Sequence, residues 1–215
     1  MSEPLPHTHA PILAAGMPLA AATHALVLFH GRGADAEGML ALAEALDVPG
    51  AWAVLAPQAD AHSWWPSSGF APFFENEPWM DGALACAQRT VAEALAAGIP
   101  AERIVVGGFS QGACLALDYA VRHPQRFGAL LGFAGGLLGP PGTRWDDLPA
   151  ALDGTPALLA VHDNDPWIPL VRVEETARVL TEKGAVVDAR LYRGTHHTIM
   201  PESVEAAQAL IANVG

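Results

Sequence analysis

Apolar residues in this chain recur in two rhythms. In one, short stretches are apolar at nearly every position: residues 25–29, 51–56, 103–107, 128–134, 157–162 and 186–192. Stretches of that length, bounded by turn residues, predict strands buried on both faces. In the other rhythm, apolar positions return every three or four residues over 36–46, 80–97, about 111–122, 170–183 and 201–213, which predicts helices between the strands. The helix over 80–97 closes at Gly98-Ile-Pro100, a sensible stop. Residues 12–29 are apolar over a length that raises a membrane helix, but Gly16, Pro18 and His24 break the run. It reads instead as a short strand, a turn and a buried strand. Strands apolar throughout, alternating with helices, imply a mostly parallel central sheet flanked by helices on both faces, an α/β fold. In such sheets ligands sit outside the carboxyl ends of the strands, so the loops that follow strands are where chemistry is expected.

Composition refines this picture only slightly. Of 215 residues 51% are apolar and 16% charged, and the 21 glycines and 18 prolines are scattered without a linker or repeat. The expectation is a single domain over 1–215, with residues 1–11 a loose tail. A formal net charge of −12 repels phosphate backbones and anionic headgroups, which speaks against nucleic acid and against stable membrane association. Two cysteines, Cys86 and Cys114, make no disulfide framework and fit a reducing compartment. The start, Met-Ser-Glu-Pro-Leu-Pro-His, lacks the basic patch of a secretory signal, so a soluble cytoplasmic protein is expected.

The chemistry begins at 103–107, whose strand runs into Gly108-Phe-Ser-Gln-Gly112 and then a helix. A G-x-S-x-G pattern alone is weak. Set between a strand and a helix, it puts Ser110 on a strained turn at the top of the sheet, with flanking glycines that let strand and helix pass closely. The helix N-terminus there favours developing negative charge. A serine hydroxyl needs a base to become nucleophilic, so the rest of the chain must supply one. An acid and then a histidine should follow at the ends of later strands. The strand over 157–162 ends in His162-Asp-Asn-Asp-Pro-Trp-Ile-Pro169, and the strand over 186–192 ends in Arg193-Gly-Thr-His-His-Thr-Ile199. Physical reasoning leaves Asp163 or Asp165 as the acid and His196 or His197 as the base; Asp153, upstream of its strand, fits poorly.

Four segments carry a family resemblance: residues 28–34 (Leu-Phe-His-Gly-Arg-Gly-Ala), 56–59 (Ala-Pro-Gln-Ala), 75–79 (Glu-Asn-Glu-Pro-Trp) and 108–114 (Gly-Phe-Ser-Gln-Gly-Ala-Cys). Together they resemble the phospholipase/carboxylesterase branch of the α/β-hydrolases, to which acyl-protein thioesterases belong, over nearly the whole chain from about Ile12. The resemblance implies Asp165, before Pro166, as the acid and His197, two before Ile199, as the base. Asp163 and His196 stand where that family usually has glycine. It also implies an oxyanion site made by the backbone N–H groups of Gln111 and Arg32. The Arg32 side chain is expected to reach toward substrate, pair with Asp35 or face solvent, and His30 to brace its loop.

The irregular stretch 63–79 holds Trp64, Trp65, Phe70, Phe73, Phe74 and Trp79. Lying after a strand end, and joined by Leu137, Leu138 and Trp167, it is expected to form the wall of an apolar acyl pocket. Cys114 is expected to pack toward the sheet. His7 and His9 fall in the tail, while His24, His62 and His123 are single and read as structural. No metal or other cofactor is expected, because no further ligand cluster with zinc-like spacing accompanies the paired histidines. The function expected is that of a serine carboxylesterase acting on small-molecule esters with small to medium apolar acyl groups. Thioesterase or lysophospholipase activity is the nearest alternative. A dienelactone-type hydrolase would carry cysteine at position 110, and a non-catalytic binding protein would show a damaged triad. Oligomeric state is left open, a homodimer included.

Overall fold

In a computed structural model of the chain, residues 3–215 are described. Among them, seven strands form one sheet in the order β1-β3-β2-β4-β5-β6-β7. The strands are β1 (Ile12–Gly16), β2 (His24–Phe29), β3 (Trp52–Pro57), β4 (Ile104–Phe109), β5 (Ala129–Phe133), β6 (Pro156–His162) and β7 (Val186–Tyr192). Only β1 runs antiparallel, against β3; the other pairs are parallel. Five helices complete the fold: α1 (Ala36–Ala45), α2 (Trp79–Ala96), α3 (Gln111–Arg122), α4 (Leu170–Glu182) and α5 (Pro201–Ala212).

The uninterrupted apolar runs have a direct cause. Alternate residues of one strand enter different cores, because successive side chains point to opposite faces. Ala25, Val27 and Phe29 of β2 pack with α2, α3 and α4, whereas Leu26 and Leu28 pack with α1 and α5. β7 is the exception that its position explains: as an edge strand it leaves Val186 and Leu191 exposed and carries Asp188 and Arg190. Charges on an edge strand hinder pairing with another chain.

Most expected elements are found with ends shifted by a residue or two, and 111–122 and 186–192 match. β4 runs on to Phe109 because its ladder continues, with Gly108 opposite Phe29 and Phe109 opposite Phe133. The strand order also locates the functional edge. From β2 the chain moves outward to β3 and then returns to β4 on the other side of β2. The chain therefore leaves β2 and β4 toward opposite faces, to α1 and to α3, and ligands in such sheets bind at the carboxyl ends beside that point.

The expected loose tail needs correction; Met1 and Ser2 lie outside the described residues, but the segment behind them is anchored. His7 is fully buried, its ring edge-on to Trp64 and Trp79 at 5.3 and 5.4 Å. The His7 N–H donates to Asp60 Oδ2 at 2.7 Å, and the Asp60 N–H donates to His7 Nδ1 at 3.0 Å. With Nδ1 accepting, Nε2–H is the donor to the Trp64 carbonyl at 3.0 Å. The Arg89 guanidinium holds the carbonyls of Thr8 and Ala10, and Pro6 lies so close to α2 that a Cβ on Gly82 would meet its oxygen at 2.2 Å. A segment of prolines and histidines looks solvated until backbone partners from distant loops satisfy it.

Burial pushes the His7 imidazole below its ordinary value, because charge in that site would lose its hydration. The folded state thus keeps His7 neutral while the unfolded chain takes up a proton near pH 6.5. Its contribution to stability is fully present above that pH and is lost as pH falls below it. The unfolding midpoint in urea is expected to drop between pH 7 and pH 5. H7N should flatten that slope by up to about 1.4 kcal/mol per pH unit; an unchanged slope would remove His7 from the account.

Candidate active site

Ser110 sits between β4 and α3 with φ 55° and ψ −120°, a backbone conformation that side-chain-bearing residues rarely adopt. Neighbouring backbone holds it there. Its N–H donates to the Phe133 carbonyl at 2.8 Å and its carbonyl accepts from the Cys114 N–H at 3.0 Å. The glycines on either side are required by space rather than by dihedral angle. A Cβ on Gly108 would lie 2.5 Å from the Phe29 carbonyl oxygen, and one on Gly112 would lie 2.0 Å from the same atom.

β6 and β7 are parallel neighbours, with His162 opposite Tyr192, so the loops that follow them lie side by side. From these loops Asp165 and His197 reach back over β5 to the serine. The Ser110 hydroxyl donates to His197 Nε2 at 2.7 Å, and His197 Nδ1–H donates to Asp165 Oδ2 at 2.7 Å. The other oxygen of Asp165 accepts the N–H groups of Trp167 and Ile168 at 2.9 and 3.0 Å. The Asp165 side chain is completely buried, so these bonds fix its orientation and that of the imidazole.

Asp163 and His196 stand outside this chain of bonds. Asp163 Oδ1 accepts the Gly194 N–H at 2.9 Å, which holds its carboxyl below the usual range. Together with the Asn164 N–H bonded to the Gly194 carbonyl, it latches the acid loop to the base loop. His196 is exposed, 5.5 Å from the His162 ring. Asp153 lies beside Gly184, ahead of β7 and at the opposite end of the sheet.

The loop after β2 packs directly on this turn: a Cβ on Gly31 would touch the Ser110 Cβ at 3.3 Å. His30 braces it, with Nδ1–H donating to the Gly31 carbonyl and Nε2 accepting the Ala59 N–H. Among the described residues, the backbone N–H groups of Arg32 and Gln111 donate to no protein acceptor. They remain free to serve an oxygen beside Ser110.

The two side chains have a separate task. The Arg32 guanidinium donates to the carbonyls of Trp65, Pro66 and Ser67 rather than pairing with Asp35, and the residue is exposed and borders the cavity beside Ser110. Gln111 Oε1 accepts the Trp64 N–H and its Nε2 donates to the Trp65 carbonyl, both at 2.9 Å. Both residues therefore grip the segment that carries the aromatic wall.

A cavity of about 480 Å³ opens beside Ser110 and His197, within the range of small-molecule sites. Of the aromatics expected in its wall, Trp65, Phe70 and Trp167 line it. Trp64, Phe73, Trp79 and Leu137 do not, and that expectation is corrected. Trp64 points beneath the loop, where its Nε1–H donates to the His30 carbonyl and its ring meets Phe29. Trp79 backs His7, Phe73 packs near Gly139, and Leu137 is buried with its N–H on Thr176. Leu138 is buried too, and Phe74 is exposed away from the cavity. The Phe70 ring is held by Arg172, buried to 4% exposure, whose guanidinium lies 5.2 Å above it.

Cys114 and Ile168 line the cavity unforeseen. Cys114 stands four residues after Ser110, a spacing that puts both on one helix face and was the available signal. Burial pushes its thiol up to about 12, so it serves as a neutral apolar surface. Among the described residues, no three His, Cys, Asp or Glu side chains are grouped to hold a metal ion. No helix there is long and apolar enough to cross a membrane.

Comparison with known proteins gives consistent matches. Residues 12–214 match the family model described as phospholipase/carboxylesterase. An acyl-protein thioesterase 1 from Eremothecium gossypii is 30% identical, with 88% of this chain and 87% of that protein covered. A phospholipase/carboxylesterase from Dyadobacter fermentans superposes with a TM-score of 0.90 at 36% identity, over 95% of this chain and 97% of that one. The Bacillus cereus carboxylesterase shares the fold, with a TM-score of 0.71 at 19% identity over 97% and 96% of the two chains.

The crossing at Ser110 leads to a stability test. G112A should cost about 1–3 kcal/mol or more in urea unfolding, since only backbone atoms could yield. G50A, which meets nothing within 4 Å, should stay within about 0.5 kcal/mol of wild type. Equal stabilities for the two variants would overturn the crowded-crossing account.

Proposed function

The chain belongs to the phospholipase/carboxylesterase family of α/β-hydrolases, and from that premise we propose that it is a serine carboxylesterase acting through an acyl-Ser110 intermediate. Its substrates are small-molecule esters with small to medium apolar acyl groups. The observation that carries this reading is the unbroken chain of bonds from Ser110 Oγ to His197 to Asp165, each 2.7 Å long.

His197 takes the serine proton as Oγ attacks the ester carbonyl, and Asp165 stabilises the imidazolium that forms. The free N–H groups of Arg32 and Gln111 receive the oxyanion, a contribution worth several kcal/mol of barrier. His197 then protonates the departing alcohol and later activates water to release the acid. The acyl group lies against Trp65, Phe70, Cys114 and Ile168, where each buried methylene contributes about 0.8 kcal/mol. A thioester substrate is the second reading. It is favoured by the similarity to an acyl-protein thioesterase and uses the same residues in the same roles.

Hydrolysis of p-nitrophenyl esters from acetyl to dodecanoyl tests the assignment. S110A is expected to lower kcat/KM about 10⁴–10⁶-fold. D165N should lower kcat by about four powers of ten, while D163N, outside the bonded chain, should stay within tenfold of wild type. Turnover that survives in S110A would refute the nucleophile, and a D163N defect as deep as that of D165N would refute the choice of acid. A wild-type protein that binds esters without turning any over would favour a non-catalytic ligand-binding role.

A further inference from the structure

His197 borders two cavities. Besides the one already described, it borders a second, more open depression of about 490 Å³ between α1 and the segment that follows the histidine, to which Gly38 and Thr198 also contribute. Met39, Ala41 and Leu42 of α1 form one wall, and Phe109 and Ile199 form the other. The Phe109 ring lies 4.9 Å from the imidazole.

We propose that this second cavity receives the leaving group of the ester, and that the leaving group is an uncharged, apolar alcohol. The inference rests on the acyl-Ser110 reading above and extends it. As Oγ bonds to the carbonyl carbon, the bond from that carbon to the alkoxy oxygen breaks. The alkoxy oxygen keeps the electron pair and takes the proton that His197 received from the serine. That oxygen must therefore lie at His197 Nε2, while the acyl chain occupies the cavity beside Trp65 and Phe70. The alcohol continues past the imidazole, toward the cavity that shares His197 as its wall.

The character of the lining selects the alcohol. No Lys or Arg lines the second cavity. The start of α1 beside it carries two acidic side chains, the N-cap Asp35 and Glu37. With a net charge of −12 over the chain, a phosphate or carboxylate on the leaving group would meet repulsion from these side chains. Met39, Leu42, Phe109 and Ile199 instead gain from covering an alkyl chain.

The test uses acetate esters of methyl, butyl and octyl alcohol, S-octyl thioacetate and acetyl-coenzyme A, followed by release of acid from the full-length protein. Wild-type kcat/KM should rise from methyl to octyl acetate, and acetyl-coenzyme A should be hydrolysed at least tenfold more slowly than S-octyl thioacetate. Ala41 is an exposed helix position, so A41W can narrow the cavity without disturbing a core. This variant should reduce the octyl-to-methyl ratio about tenfold while its p-nitrophenyl acyl-length profile keeps the wild-type shape. An octyl-to-methyl ratio unchanged by A41W, a flat alcohol series, or acetyl-coenzyme A turned over as fast as S-octyl thioacetate would overturn the proposal. In those cases Ser110-dependent hydrolysis would still stand, whereas absence of Ser110-dependent turnover across all acetates would overturn the underlying reading as well.

Discussion

Where β4 passes into α3, two stretches of backbone cross with no space for a side chain between them. Gly108 and Gly112 both lie against the Phe29 carbonyl. Closing that crossing forces Ser110 into its positive-φ conformation, and the Phe133 carbonyl holds it there. The same closeness brings the loop after β2 onto the turn, so the free N–H groups of Arg32 and Gln111 belong to neighbouring segments of one packed unit. The strain at Ser110 is thus sustained by a sheet whose two cores are both filled.

The segment 64–67 is the second part of this unit. Among the described residues the backbone N–H groups of Arg32 and Gln111 donate to no protein acceptor, yet their side chains hold the carbonyls of residues 65–67 and the N–H of Trp64. One pair of residues therefore joins the position of two backbone N–H groups beside Ser110 to the position of an aromatic wall. Exchanging either side chain would disturb both, even with every backbone donor retained.

The fold was legible because a strand buried on two faces has to be apolar at every position, and helices with a single apolar face follow between such strands. Ser110 was legible for a related reason, since few sequences satisfy a strand, a tight glycine crossing and a helix in succession. The acid was less so. Asp163 and Asp165 have the same chemistry two residues apart, and what separates them is which carboxyl meets the N–H groups of Trp167 and Ile168. The pocket was least legible, since adjacent Trp64 and Trp65 point to different sides of their loop. Only the long-range bonds from His30 and Gln111 settle which one faces the cavity. The buried tail escaped notice for the same reason, its partners being backbone groups more than fifty residues away.

That tail has a bearing on how the protein can be handled. His7 grips Asp60 and the Trp64 carbonyl, and the loop carrying those groups continues into Trp65, a wall of the cavity beside Ser110. Trimming the polypeptide ahead of β1, by a protease or by an engineer's choice of where to start it, would remove a strut from the cavity beside Ser110. A tag or fusion partner is better joined beyond α5, where the Gly215 carbonyl is bonded to His24 and Arg103 at the opposite end of the sheet from this loop.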